Sequence, residues 1–393
     1  MMDASFSMAT AKRGRWSVAA VFLVNGFLVG SWAPQIPGFL ARLRITEFTL
    51  GLLILLFGLG ALSAMPWCGT LIGRFGSRRV IQMFGAVAVF GLLLIVLAPD
   101  VPLAAMALFL FGATVGGMDV AMNANAVEVE RRLRRAVMSS SHGFWSLGGF
   151  AGGGLGGLLI KDGGAVLHAI IVTVLAIVVF IIATRGLVTE TNPTIRQRFR
   201  FSLPKSPVIY LIGIMALFSM IPEGAVLDWA ALYLKQELGA GIATAGLAFA
   251  AFSGTMALMR FAGDAVRNRF GAVTTLRVSA LIAATGMLVG GFAPNAWVAV
   301  CAFAFAGFGI ANMVPIAFSA AGNQPGLSPG VGLSTVTVMG YSGILLAPSI
   351  IGFIGQHVGF SPAFIGVSVL LVLVFLMAGL ARAADMPAAQ TST

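Results

Sequence analysis

Seven polar side chains lie where an apolar chain should carry none. Asn25, Gln35, Asp119, Asn123, Glu223, Asp228 and Asn312 interrupt long hydrophobic stretches, and they fall in the first, fourth, seventh and tenth of these. A polar or ionisable group in hydrocarbon costs some kcal/mol, roughly 2.5–3.5 for a charge on insertion scales, unless it faces a partner or a water-filled cavity. Four stretches spaced three apart that share this burden predict one central polar cavity, the passage a polar solute needs. Carboxylates there can alternate between protonated and charged forms, and amides can both donate to and accept from hydroxyl groups.

Glu223 is the first candidate for proton coupling. Counting from Pro207 at about 1.5 Å per residue, it lies about 24 Å into its segment, near mid-membrane. Pro222 and Gly224 flank it and are expected to weaken the helix there. The competing reading is a carboxylate held permanently in one hydrogen bond. Asp119 and Asn123 are four residues apart and share a helix face. Asp119 is a second candidate proton carrier and Asn123 a hydroxyl-binding amide, against a reading of both as glue between helices. Asp228, about 140° around the helix from Glu223, is a third acid, a gate or an anchor. Asn25, Gln35 and Asn312 are candidate amide contacts for a substrate, Trp32 and Trp145 candidate stacking surfaces, and Tyr341 a candidate lining group in the middle of its segment. Trp16, Trp67 and Trp297 read as interface anchors. His142, which follows Ser139 to Ser141, is expected in a capping region.

The elements that must position these groups follow from composition. Of 393 residues, 59% are hydrophobic and 9% charged, at a mean hydropathy of +0.98; soluble domains carry about a quarter charged residues. The chain is therefore an integral membrane protein. No cleavable leader is expected, because the segment through Arg15 is polar and the stretch from Trp16 is too long for one. Hydropathy with Gly and Pro punctuation predicts twelve spans over 16–40, 48–72, 79–98, 102–128, 138–160, 165–185, 207–234, 243–264, 273–293, 297–321, 331–355 and 361–381, each near the roughly 20 residues a bilayer requires. We refer to these as segments 1 to 12.

The net charge of +11 is topological and does not point to nucleic acid. With the N-terminus inside, only Arg42, Arg44, Lys161 and Lys235 of the 24 Lys and Arg fall outside. That asymmetry puts both termini in the cytoplasm, with Arg74, Arg78, Arg79, Arg260, Arg267 and Arg269 on the inner side. Cys68 and Cys301 lie within segments and are too sparse for a disulfide framework or a metal site. The interval from Gly186 to Ser206 is basic, contains Pro193 and Pro204, and reads as a linker. It divides the chain into a first bundle over 1–185, the linker 186–206 and a second bundle over 207–393.

An internal repeat supports that division. Arg74-Phe75-Gly76 recurs as Arg269-Phe270-Gly271, and Ala98-Pro99-Asp100 as Ala293-Pro294-Asn295, both at an offset of 195, which Gly112 and Gly307 also keep. Two parallel six-helix repeats describe the major facilitator architecture. The run Gly69-Thr-Leu-Ile-Gly73-Arg74-Phe-Gly76-Ser-Arg78-Arg79 resembles that superfamily's loop signature between helices 2 and 3, and Arg260-Phe-Ala-Gly263-Asp264 with Arg269-Phe270-Gly271 is similar to its second copy. Gly73 stands where the family usually carries an aspartate, whereas Asp264 keeps the acid in the second copy. The sequences around Asp119 and Glu223 are similar to a bacterial inner-membrane branch near the fucose-permease-like sugar/proton symporters.

The resemblance implies an all-α fold of twelve transmembrane helices in two pseudo-symmetric bundles, working as a monomer in the lipid bilayer on a small-molecule substrate. A proton gradient would supply the energy, with no cofactor. It also implies a gating role for Arg74, Gly76, Arg78, Asp264, Arg269 and Glu130, whose links would hold the cytoplasmic side shut in an outward-facing state. Segment 5, with Gly148, Gly149, Gly152, Gly153, Gly154, Gly156 and Gly157, is expected to give a close-packed surface against segment 8. The favoured reading is a proton-coupled importer of a small polar, sugar-like solute. The alternative is a proton antiporter exporting drugs or amphipathic compounds. Export branches usually carry an arginine in helix 4 and a proline in the helix 5 glycine motif, and neither is present. No nucleophile–base pair, phosphate loop or metal cluster suggests an enzyme.

Overall fold

In the computed structural model, which describes residues 2–133, 137–189, 204, 206–325, 327 and 329–385, the regular structure is helical throughout. Segment 1 is α1 (Met2–Gly30), a 3-10 turn (Ala33–Gln35) and α2 (Ile36–Leu43). Pro34 and Pro37 stand at the break, where each removes a backbone donor. The helix begins well before Trp16, since the preceding Ala, Met, Lys and Arg are good helix formers. Segment 2 is α3 (Glu47–Phe75), segment 3 is α4 (Ser77–Ala88) with α5 (Gly91–Leu97), and segment 4 is α6 (Val101–Leu133).

Segments 5 and 6 form α7 (Met138–Arg185), whose 48 residues are too long for one crossing. Gly164 divides it at φ 78°, ψ 174°, a conformation that glycine adopts without strain. Among the described residues eleven helices thus meet the length and hydropathy of a span, and this division makes twelve crossings. The second half contains α8 (Pro207–Gln236), α9 (Ile242–Phe270), α10 (Ala272–Gly291), α11 (Ala296–Ile310), α12 (Met313–Gly322), α13 (Pro329–His357) and α14 (Phe360–Met377), followed by a 3-10 stretch (Ala378–Asp385). Of the expected linker, residues 190–203 and 205 lie outside the described residues.

The repeat is visible in backbone detail. Gly76 (φ 80°, ψ 156°) and Gly271 (φ 78°, ψ 162°) turn the chain identically between α3 and α4 and between α9 and α10. Arg74 then lies 5.1 Å over the Phe75 ring, and Arg269 lies 5.6 Å over Phe270. The halves meet along α7 against α9 and α3 against α13, two contacts that exchange under the pseudo-two-fold.

Segment 5 approaches two neighbours at once. A side chain at Gly152 would stand 2.7 Å from the Ser31 amide nitrogen of segment 1; on the other face, one at Gly149 would stand 2.6 Å from Ser253 Oγ and one at Gly157 2.8 Å from the Ala243 carbonyl, both on α9. Small residues on both faces let three backbones pack without intervening side chains.

Among the described residues, polar ties between the halves run from mid-bundle to the end remote from the termini. There Gln236 donates to Glu47 at 2.9 Å, the Phe48 amide to Gln356 at 3.3 Å and Ser349 to the Gly51 carbonyl at 3.2 Å, while the 3-10 turn and α2 rest on α8. At the terminal end, charged groups bind within their own half. Arg132 pairs with Glu128 at 2.8 Å, Glu130 accepts from the amides of Val137 and Met138, and Arg267 donates to Ser319 and to the Ala384 carbonyl. On the terminal side of the mid-bundle, Phe144 of α7 still packs edge-on against Phe261 of α9 at 5.6 Å.

Candidate functional site

A polar cluster occupies the middle of the bundle. Glu223 of α8 pairs with Arg260 of α9 at 3.4 Å, and the two side chains are 24% and 15% exposed despite their depth, so they face a wet space. Arg260 extends from α9 back toward mid-membrane, because helical side chains lean toward the N-terminus of their own helix. Its second branch donates to Ser146 Oγ at 2.6 Å, and the guanidinium lies 6.0 Å from the Trp145 ring centroid. Ser146 and Trp145 belong to α7, so this one arginine joins the two halves. Ser253 reinforces the junction by donating to the Ser146 carbonyl at 2.7 Å.

The first half contributes mostly neutral groups. Trp145 Nε1 donates to Asn25 Oδ1 at 2.9 Å, and Asn25 Nδ2 donates to the Val115 carbonyl at 3.2 Å, tying α1, α7 and α6 together. His142 Nε2 lies 3.2 Å from Asn123 Oδ1, and Asn123 Nδ2 donates to the Asp119 carbonyl at 2.9 Å. Asp119 and Asn123 are both half-buried. Tyr341 of α13 is also half-buried.

Asn312 stands at the break between α11 and α12 with its Oδ1 against Gly263. Its Nδ2 is buried with no hydrogen-bond partner.

Other expected residues lie apart. Gln35, buried, donates to the Ala165 carbonyl at 3.0 Å and lies 2.7 Å from His168 Nδ1, at the far end of the first half. Trp32 is buried edge-on against Phe39 at 5.2 Å. Asp228 is buried higher on α8, away from the pair, with no hydrogen bond or ion pair to a described residue. Pro222 does not break α8, which runs continuously through it; a proline's freed carbonyl is tolerated in a packed bundle. The side chain of Asp264 lies outside the described residues.

Three participants were not legible as such. Arg260 reads from the sequence as one of the inner-side basic residues, and Ser146 as a small residue of the glycine-rich segment. His142 reads as a cap, yet its ring packs at 5.0 Å on Phe22 in the interior. One signal was available for Arg260: at the repeat offset of 195 its counterpart is Met65. A charge in only one copy of a repeat is a departure that packing symmetry does not require.

Twelve crossings with a polar cluster between the two halves are the architecture of a membrane transporter. The model of the Major Facilitator Superfamily matches residues 18–323 and 211–393, and the chain belongs to that superfamily. An uncharacterized MFS-type transporter of Yersinia pestis is 36% identical over 91% of this chain and 93% of its own length. The membrane protein MosC of Rhizobium meliloti is 32% identical over 91% and 88%. Among solved structures, a mutant of the nucleoside transporter NupG superposes with a TM-score of 0.74 at 13% identity, covering 93% of this chain and 99% of that one. A D-xylose-proton symporter gives 0.73 at 14% identity, covering 96% and 98%. At these identities the structural likeness concerns the fold.

Proposed function

We propose that this transporter is a proton-coupled symporter for a small, hydroxyl-rich solute of sugar-like size, with Glu223 as the coupling acid. The carrying observation is that the carboxylate's partner, Arg260, also holds Ser146 of the opposite half. Protonating Glu223 removes the charge that orients Arg260 and so changes the grip between halves. A bound species shifts a conformational balance only through different affinity for its two states, and the pair supplies that difference. Asp119 is the second acid in this scheme and Asp228 a third held in reserve. Asn25, Asn123, Trp145, Asn312 and Tyr341 form the inner substrate shell, with Gln35 and Trp32 supporting it from the far end.

In this reading the bundles over 1–185 and 207–393 rock about α7–α9 and α3–α13. Arg74, Gly76, Arg78, Glu130, Asp264 and Arg269 join the halves at the terminal end when the far end opens. The protein works as a monomer in a bacterial inner membrane, with both termini cytoplasmic and the proton gradient as its only energy source. The neighbours named for a nucleoside and for D-xylose support a polyhydroxylated substrate by fold analogy alone.

The test begins with thermal stabilisation of the purified chain by sugars, nucleosides, organic acids and drugs, since a ligand of the folded state raises its apparent stability. Uptake of the stabilising compound into vesicles then follows, with and without an imposed pH gradient. Glu223→Gln is expected to abolish gradient-driven accumulation while retaining binding. Accumulation that persists in this variant removes Glu223 from the coupling role, and stabilisation by drugs alone favours export.

A further inference from the structure

His142 stands one helical turn before Trp145 and Ser146 on α7, at spacings of three and four residues that share a helix face. Both of those residues touch Arg260. The imidazole therefore lies on the terminal side of the inner pair, about 5 Å along the helix axis, and it is half-buried. Its ring packs edge-on against Phe22 of α1 at 5.0 Å and 71°. A phenyl ring would serve that packing equally well, so the nitrogens need another explanation.

Hydrogen bonding fixes which nitrogen carries the proton. The Asp119 carbonyl oxygen can only accept, so the Asn123 group that faces it at 2.9 Å is the NH2 end. Asn123 Oδ1 then faces His142 Nε2 at 3.2 Å, and it too can only accept. Nε2 must hold the hydrogen, and the neutral ring keeps its lone pair at Nδ1. Nδ1 has no hydrogen-bond partner among the described residues, and it is not sealed from solvent as His168 Nε2 is. An acceptor of fixed direction thus stands open beside the inner pair.

We propose that His142 Nδ1 accepts a hydrogen bond from a hydroxyl of the transported solute, and that Asn123 serves this contact by holding the imidazole tautomer. Resting on the reading of the solute as hydroxyl-rich, this contact adds what the first half selects: a free O–H on the side toward the chain termini. A solute whose oxygen there is methylated brings a lone pair against a lone pair, and one without the oxygen leaves Nδ1 unpaired. A site built around a substrate hydroxyl rejects such analogues strongly.

Binding is read by thermal stabilisation of the purified full chain with D-xylose, D-glucose and uridine, then with the singly deoxygenated and singly O-methylated forms of each compound that stabilises it. One deoxygenated form and the matching O-methyl form are expected to bind the wild type about tenfold more weakly than the parent, the worth of one hydrogen bond. His142→Gln keeps a donor toward Asn123 at the place of Nε2 but offers no acceptor at the place of Nδ1. It should bind the parent about tenfold more weakly and no longer distinguish it from that deoxygenated form, because both changes remove the same contact. His142→Asn, which puts an amide oxygen at the place of Nδ1, should restore the discrimination.

A ring that only fills space gives the same ratio between parent and analogue in all three proteins, so a general loss of stability does not imitate this result. Histidine labelled with 15N reports the tautomer without any solute. The chain has three histidines, so the signals missing from His142→Gln identify the ring, and Asn123→Leu should mix its tautomers. If none of the three compounds stabilises the wild type, the hydroxyl-rich reading fails and this contact fails with it. If one binds but the ratio is equal in the wild type and His142→Gln, or the labelled ring carries its proton on Nδ1, the contact alone is overturned.

Discussion

Two Arg–Glu pairs among the described residues use the same chemistry to opposite effect. Arg132 and Glu128 lie one turn apart on α6, 2.8 Å from each other, and the arginine also reaches the Thr189 carbonyl within the same half. Arg260 and Glu223 sit on different helices at a looser 3.4 Å, and the arginine reaches across to Ser146 of the other half. The tighter pair joins groups that move together. The looser pair also lies within one half, but its arginine reaches out of it to Ser146, so its 3.4 Å distance understates what it connects. What an ion pair connects decides what its protonation can do.

Breaking the inner pair should have the largest effect. Arg260→Met leaves the Glu223 carboxylate without its counter-charge, and we expect a loss of about 1–3 kcal/mol of stability, the discounted cost of an unpaired acid in a wet site. Cysteines introduced by Glu47→Cys and Gln236→Cys report far-end closure by cross-linking, and their yield should fall several-fold. Adding Glu223→Gln should recover most of the stability, because residues in one network couple strongly. Additive losses in the double variant would show that the two side chains do not act as a pair.

A smaller effect is expected from the surface along which the halves move. Gly149→Leu forces a side chain to within 2.6 Å of Ser253 Oγ, whereas the nearest atom to one at Gly154 is 3.8 Å away. Overpacking of the first kind costs about 1–3 kcal/mol. Gly154→Leu, five residues further along the same stretch, should cost little. Equal melting temperatures for the two variants would mean that α7 and α9 are not held at this spacing in the membrane.

Much of this arrangement could be read in the sequence, for a definite reason. Hydropathy marks spans because lipid forces backbone groups to pair within a helix, so long apolar runs have one solution. Glu223, Asp119, Asn123, Asn25 and Asn312 stood out because the same lipid makes a polar side chain expensive. Partners are harder. Gln35 and Asn25 look alike as buried amides, yet the first meets His168 beyond the Gly164 turn and the second meets Trp145 beside the inner pair. Those destinations depend on which helix faces which, and periodicity within one helix carries no such information. Arg260 was hidden by length: its backbone lies about 27 Å along α9 at 1.5 Å per residue, near the charged inner boundary, and its guanidinium alone reaches the centre.

The outer pair sharpens the comparison by resisting change. Arg132→Lys keeps the charge but loses the fork that holds Glu128 and the Thr189 carbonyl together. Because the side chain is 22% exposed and the pair lies within one helix, the expected loss is below about 1 kcal/mol. The Glu47–Gln236 cross-link should be unchanged, since nothing at Arg132 touches the opposite half. A fall in that yield comparable to Arg260→Met would mean that the end of α6 joins the halves in the membrane, and the distinction between a pair that links and a pair that braces would fail.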